Sequence, residues 1–245
     1  GDYDIDGVCS TYILLRGLTR AGAEVDTDIP DRKKDGYGLN EDLVKRAYDA
    51  GIDTIVTCDN GIAAVKEIAY AKSLGMTVII TDHHELQEEI PPADVVVNPH
   101  QKNCPYPYKN LCGAGVAWKL VSALWEQLGV PEQELYEDLL LFAGFATVGD
   151  VMDLTGENRI LVKEALKLLK TTTHPGISAL IEVNEISRET ISAFHIGFVL
   201  GPCINASGRL DTAKRALELL KTTDYEKALV KAAELKALND ERKSM

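Results

Sequence analysis

Thr77-Val-Ile-Ile-Thr-Asp-His-His-Glu85 is the stretch whose reading decides the fold. Its β-branched run, bounded by polar residues, predicts a buried strand. The strand ends in an Asp and two adjacent histidines, and ligands of open α/β sheets collect beyond the carboxyl ends of their strands. In a strand the two histidines would face opposite ways. They are therefore expected to bend into a loop, one binding metal and the other meeting substrate. Asp53-Thr-Ile-Val-Thr-Cys-Asp59 repeats the pattern of a strand closed by Asp, and the chain opens on Gly1-Asp-Tyr-Asp-Ile-Asp-Gly7. Three strand ends loaded with carboxylate and imidazole can converge on one place, and a metal is the natural reason for it.

Working outward, strands are expected over 23–29, 53–59, 76–81 and 94–98, and helices over 8–19, 40–50 and 62–73. This alternation with short connections reads as a parallel sheet with right-handed crossovers. From residue 113 the texture turns helical, with helices expected over 113–128, 131–145, 160–170, 176–183, 188–199 and 211–221. The fold class is therefore α/β. A doubly wound parallel-sheet part (1–112) is followed by a mainly helical part of the same domain (113–224) and a connector helix (225–245). That last helix carries only a partial apolar stripe, Leu229, Ala232, Ala233, Leu235, Leu238 and Asn239, and reads as poorly buried by one domain.

Composition narrows the function. The chain has 245 residues, 45% hydrophobic and 26% charged, which is ordinary for a soluble globular protein. Its net charge of −12 argues against a broad basic face for nucleic acid, although an Asp cluster that holds divalent cations accounts for part of it. The five cysteines (9, 58, 104, 112 and 203) form no CxxC and leave one over, so neither a disulfide frame nor a zinc knuckle is indicated. A reducing, cytoplasmic setting follows as the default. The apolar run 139–148 is too short to span a bilayer. A start directly on a motif, with no strand before it, suggests a fragment.

Several residues are candidates for chemistry. Asp2, Asp4 and Asp6 alternate in what reads as an extended segment, which puts them on one face, and the positive end of the next helix would face them or a bound phosphate. A helix cap needs fewer than three Asp, and an EF-hand needs a bidentate Glu where Ile13 stands. Asp59 is a helix cap or a ligand, and its place level with Asp82 and His83 favours the ligand. Asp150, at the end of the most apolar helix, is either a buried structural carboxylate or a further ligand. Gly201-Pro-Cys-Ile-Asn-Ala-Ser-Gly-Arg-Leu210 reads as a loop, either a phosphate cradle or a plain inter-helix turn. The loop Pro30-Asp-Arg-Lys-Lys-Asp-Gly-Tyr-Gly-Leu39 could hold a phosphate and stack a base, or be a solvated surface loop.

With these segments in view, the chain resembles the DHH phosphoesterase superfamily and, within it, the single-strand-specific exonucleases. The matching segments are the Asp-rich opening, Asp28-Ile-Pro-Asp-Arg32 with Gly36-Tyr-Gly-Leu39, Cys58-Asp-Asn-Gly-Ile62 and Thr81-Asp-His-His-Glu85. They continue with Cys104-Pro-Tyr-Pro, Leu111-Cys-Gly-Ala-Gly115, Thr147-Val-Gly-Asp-Val151 and Ile204-Asn-Ala-Ser-Gly-Arg-Leu210. The resemblance implies a phosphodiesterase with two Mn²⁺ or Mg²⁺ ions, removing nucleotides 5′→3′ from single-stranded DNA in repair and recombination. It implies Asp4, Asp6, Asp59, His83 and Asp150 as the metal shell. His84 would contact phosphate or leaving group, while Asp82 and Asp2 orient ligands. Arg209, with Asn205, Ser207 and Gly208, would form a phosphate-binding loop, and Arg32 and Tyr37 would lie near the 5′ end of the strand. It further implies a missing downstream module of DHHA1 type and a nucleic-acid-binding domain, and it expects Arg where this chain has Cys203. Two rivals stand: a relative acting on short oligonucleotides or cyclic dinucleotides, and a catalytically silent nucleic-acid-binding scaffold. Carboxylates with neutral imidazole suit Mn²⁺ or Mg²⁺ rather than structural zinc, and two ions about 3.5–4 Å apart can clamp a phosphodiester.

Overall fold

The computed structural model describes the whole chain except residues 32–35, 37, 132, 134–138 and 245. Arg32 and Tyr37 lie outside the described residues, as does much of the helix expected over 131–145. The described strands are β1 (Thr54–Cys58), β2 (Thr77–Thr81) and β3 (Val95–Val97). They form one parallel sheet in the order β1-β2-β3, with Thr54 opposite Thr77 and Ile79 opposite Val95. Parallel neighbours need a crossover, and α3 (Val65–Ser73) supplies it between β1 and β2.

Strand alternation sends successive side chains to opposite faces of this sheet. Val78 and Ile80 pack with Met76, with Ile68 and Ala71 of α3, and with Val44 of α2 (Glu41–Asp49). Val56 and Cys58 join the other core, shared with α1 (Ile5–Arg20) and α4 (Gly113–Gln127). Helices therefore cover both faces, as doubly wound sheets require. In the larger core, Ile5, Val8, Tyr12 and Ile13 of α1 meet Ala117, Val121 and Trp125 of α4. They also meet Phe142 and Phe145 of α5 (Leu141–Gly149). Gly17 lets α1 and α4 close together: a Cβ there would stand 2.4 Å from Val121 Cγ2, and Trp125 Nε1 donates to the Gly17 carbonyl at 2.9 Å.

The helical remainder comprises α6 (Gly156–Thr171), α7 (Pro175–Val183), α8 (Ala193–His195), α9 (Gly201–Leu210), α10 (Lys214–Lys221) and α11 (Tyr225–Ser244). A π-turn, Ile196–Leu200, joins α8 to α9 without interruption. None of the described helices is long and apolar enough to cross a membrane.

Four expectations need correction. The segment 23–29 is extended but belongs to no sheet, because no described strand runs beside it; the Gly1 amino group donates to the Asp28 carbonyl at 3.1 Å instead. Helix α1 begins at Ile5, so Asp6 sits in its first turn and not in an extended row with Asp2 and Asp4. The 201–210 segment is helix, not loop. Its small residues serve close packing: a Cβ on Gly208 would lie 2.2 Å from the Tyr3 carbonyl oxygen. Pro202 falls in the helix's first turn, next to the widened π-turn, where its missing N–H is tolerated. Finally, α11 is not poorly buried. Ala228, Ala232, Leu235 and Asn239 are buried against α7, α9 and α10, because alanines on the stripe allow close approach.

Leu235 is fully buried in that contact. Leu235→Ala is expected to cost about 2–5 kcal/mol of stability, read as a lowered urea midpoint at unchanged slope. A change near zero would mean that α11 contributes little to the fold.

Candidate metal centre

The carboxyl ends of β1 and β2 and the N-termini of α1 and α4 meet at one place. Asp4 is the N-cap of α1, its Oδ1 accepting from the Asp6 N–H at 2.9 Å and the Gly7 N–H at 3.0 Å. Such a cap satisfies donors that the first helical turn leaves unpaired. Asp6 is fully buried and rests on the start of α4, where Gly113 N–H donates to Oδ2 at 2.6 Å and Ala114 N–H to Oδ1 at 2.7 Å. The positive end of that helix stabilises the carboxylate.

Asp59 follows β1 in the left-handed region, φ 57°, and is buried. It stands so close to α4 that a Cβ on Gly113 would lie 2.7 Å from Asp59 Cβ. Asp82 follows β2 and organises the turn after it. Its Oδ1 accepts from the His83 N–H at 2.8 Å, the His84 N–H at 3.2 Å and His84 Nδ1 at 2.7 Å. Its Oδ2 accepts from the Ile62 N–H at 2.9 Å. This turn brings both imidazoles to one side, their centroids 4.5 Å apart.

His83 is the hub. Its Nε2 lies 3.1 Å from Asp59 Oδ1, 3.5 Å from Asp6 Oδ2 and 3.9 Å from Asp150 Oδ2. Asp150 is the C-cap residue of α5. Three sets of donor atoms each fall within 4.8 Å of one another: Asp59, His83 and His84; Asp6, His83 and Asp150; and Asp2, Asp4 and Asp59. The sets share His83 and Asp59 and so form one continuous cluster.

Burial and like charge set the electrostatics of this cluster. Burial, reinforced by Asp6 and Asp4, pushes the Asp59 carboxyl far up. The same causes raise Asp150 from 3.8 to about 7. Burial, with Asp4 adding to it, raises Asp2 to about 6, and burial with Asp6 raises Asp4. Burial pulls His83 down, against the opposing pull of Asp6. Buried like charges of this kind disfavour their own ionisation, and a cation removes the conflict. Oxygen donors with an imidazole fit Mn²⁺ or Mg²⁺, and these residues could hold such an ion.

Outside the cluster of raised carboxyls the shifts reverse. Burial would raise Asp82, but its hydrogen bonds from His84 and Ile62 outweigh this and hold it low. The hydrogen bond to Asp82 in turn raises His84. With Nδ1 committed to Asp82, Nε2 is the nitrogen His84 has left for a ligand or substrate.

Two of the remaining described candidates, Asn205 and Gly208, lie beside the Asp2–Ile5 segment. Asn205 Oδ1 accepts from the Ile5 N–H at 2.7 Å, and Gly208 abuts Tyr3. Ser207 is buried with its hydroxyl donating to the Ile204 carbonyl, and Arg209 is exposed at the end of α9. Sequence reading missed the Gly113 and Ala114 amides, for which the Gly-Ala-Gly at a helix start was the signal. It also missed buried Asn98, whose Nδ2 donates to the His84 carbonyl at 2.9 Å and whose Oδ1 accepts from the His100 N–H. Asn98 too stands just beyond a strand end.

Residues 1–144 match the DHH family, N-terminal domain, and the chain belongs to the DHH family. More particular likenesses run along the whole chain. It is 43% identical to the single-stranded-DNA-specific exonuclease RecJ of Bacillus subtilis and 38% identical to that of Salmonella typhimurium. The chain spans 30% and 44% of those two proteins. Among solved structures, all of the chain superposes on exonuclease RecJ bound to manganese with a TM-score of 0.90 at 37% identity, covering 61% of that chain. RecJ of Thermus thermophilus in complex with Mn²⁺ gives a TM-score of 0.86 at 36% identity, with 35% of that chain covered.

Carboxyls that are more basic in the folded chain stabilise it below their unfolded pKa and lose that contribution as pH rises through the folded value. For Asp2 and Asp150 this window runs from 3.8 up to about 6 and about 7. Bound cation competes with those protons, so Mn²⁺ should raise the melting temperature more at about pH 7.5 than at about pH 5. Thermal unfolding in EDTA and in Mn²⁺ at both values checks this. Equal increments would contradict the assignment.

Proposed function

We propose that this chain carries the catalytic centre of a metal-dependent exonuclease that degrades single-stranded DNA in the 5′→3′ direction, with two Mn²⁺ or Mg²⁺ ions. The observation that carries the reading is the overlap of the donor sets around His83 and Asp59. One ion would not use all of them. Asp4, Asp6, Asp59, His83 and Asp150 are the ligands in this reading, and Asp2 borders the Asp4 side. Bound there, the ions would neutralise a phosphodiester and activate water for attack on it.

The chain's own residues do the rest. Asp82 fixes the His84 ring and favours its protonated form, so His84 can donate to a phosphate oxygen or to the leaving group. Arg209 supplies a fixed positive charge for the strand's phosphates, with Asn205, Ser207 and Gly208 setting the end of α9 against the Asp-rich segment. Arg32 and Tyr37 are assigned to the 5′ end of the strand. In the whole protein, in a cytoplasmic setting, further modules of DHHA1 and nucleic-acid-binding type would hold the rest of the strand. The segments 1–112 and 113–224 act as one catalytic unit, and α11 leads toward those modules.

The net charge of −12 favours one second reading, action on short oligonucleotides or cyclic dinucleotides. A substrate-length series with 5′- and 3′-labelled strands separates the two. For the main reading, Asp59→Ala should abolish Mn²⁺ binding in calorimetry together with turnover. Asp82→Asn should lower kcat/KM by about 10–100-fold while metal still binds. Full Mn²⁺-dependent turnover in Asp59→Ala refutes the assignment.

A further inference from the structure

The π-turn that packs on α5, the helix ending at Asp150, and the short α8 before it carry aromatic side chains that the core leaves exposed. Phe194 and Phe198, one on α8 and one on the π-turn, are 60% and 69% exposed. Their rings stack on each other at 5.0 Å with an interplanar angle of 29°. Two large aromatic rings stacked in water are not core residues. They present π-faces to solvent.

The π-turn fixes where they stand. Gly197, next to Phe198, faces α5, and a Cβ there would lie 3.7 Å from Val148 Cγ1. Val148 is within one helical turn of Asp150. Farther along, Gly201 faces Ile5 at 3.2 Å. The wide turn and the start of α9 thus seat Gly197 on α5, which ends at Asp150, and Gly201 on Ile5, which follows Asp4, and Phe198 follows Gly197 on that turn. π-turns inside helices often mark functional sites for such reasons.

Val151 is an independent observation. It directly follows Asp150, is 88% exposed, and holds φ 58°. A β-branched residue in the left-handed region is strained. Its conformation closes α5, with the Met152 N–H donating to the Thr147 carbonyl at 3.1 Å and the Val151 N–H to the Val148 carbonyl at 3.2 Å, so what Val151 adds is exposed apolar surface next to Asp150 in the chain.

We propose that Phe194 and Phe198 form a stacking platform for unpaired bases of a strand whose phosphodiester lies at the metal centre. This rests on the single-strand reading above. Bases suit the site because every base offers a π-face and stacking on aromatic side chains is sequence-tolerant. A protein partner fits less well: a stable interface buries about 800 Å² on each side, more than two side chains supply. The platform also gives an acidic chain a way to hold a strand without a broad basic face.

The test uses the full-length protein in an Asp59→Ala background, so that strand is not consumed. Binding is read by anisotropy of a dye-labelled oligothymidylate and of the same strand made abasic along its length. Phe198→Ala and Phe194→Ala should each weaken binding of the base-bearing strand by about tenfold, with no loss on the abasic strand. Phe198→Trp should retain affinity, whereas Phe198→Leu, apolar without a π-face, should behave like the alanine variant. Equal losses on both strands, no loss at all, or full affinity in the leucine variant overturns the platform. A variant that unfolds or changes its association state in sedimentation places the pair in a protein interface, and the inference falls. The broader reading fails separately, if the unsubstituted protein with Mn²⁺ degrades no single strand.

Discussion

The seating of the Asp6 carboxylate on the first two amides of α4 holds the arrangement together. It joins the opening of the chain to a helix more than a hundred residues later. A buried carboxylate without such donors would be expensive. With them, Asp6 fixes the end of α4 beside the end of β1, and Asp59 and His83 fall into reach. The packing of α1 against α4 through Gly17 and Val121 serves the same end from the apolar side. Polar contact and core thus position one set of atoms from opposite directions.

That geometry carries a charge problem. Asp2, Asp4, Asp59 and Asp150 all have carboxyls raised by burial and by one another. Asp82 differs because its partners are an imidazole and backbone amides. The contrast separates carboxyls raised by burial and like charge from the one that orients a histidine. The four raised carboxyls are also part of the acidic composition.

Much of this was legible in the sequence, and the misses have physical causes. The strand before Asp82 was readable because Val78 and Ile80 alternate into a core, and the bend after it because adjacent histidines cannot share a strand face. Asp4, Asp6, Asp59, His83 and Asp150 were nameable, since strand ends and a helix end attract ligands. The helix at 201–210 was not readable. Gly, Asn and Ser favour turns in isolation, yet here Gly208 and Asn205 serve contact with Tyr3 and Ile5, about two hundred residues away in sequence. The roles of Gly113 and Asn98 were hidden for the same reason. An amide that supports a side chain far along the chain leaves no local periodicity. The segment 23–29 had a strand's composition and no neighbour to pair with.

Gly113 and Asp59 stand with no room between them for even a methyl group. The two positions are therefore not free to drift separately. Any residue larger than glycine at 113 displaces Asp59, and a shifted Asp59 loses its place beside His83. A substitution at 113 is therefore felt first at Asp59 and through it at His83, although neither residue has itself been changed.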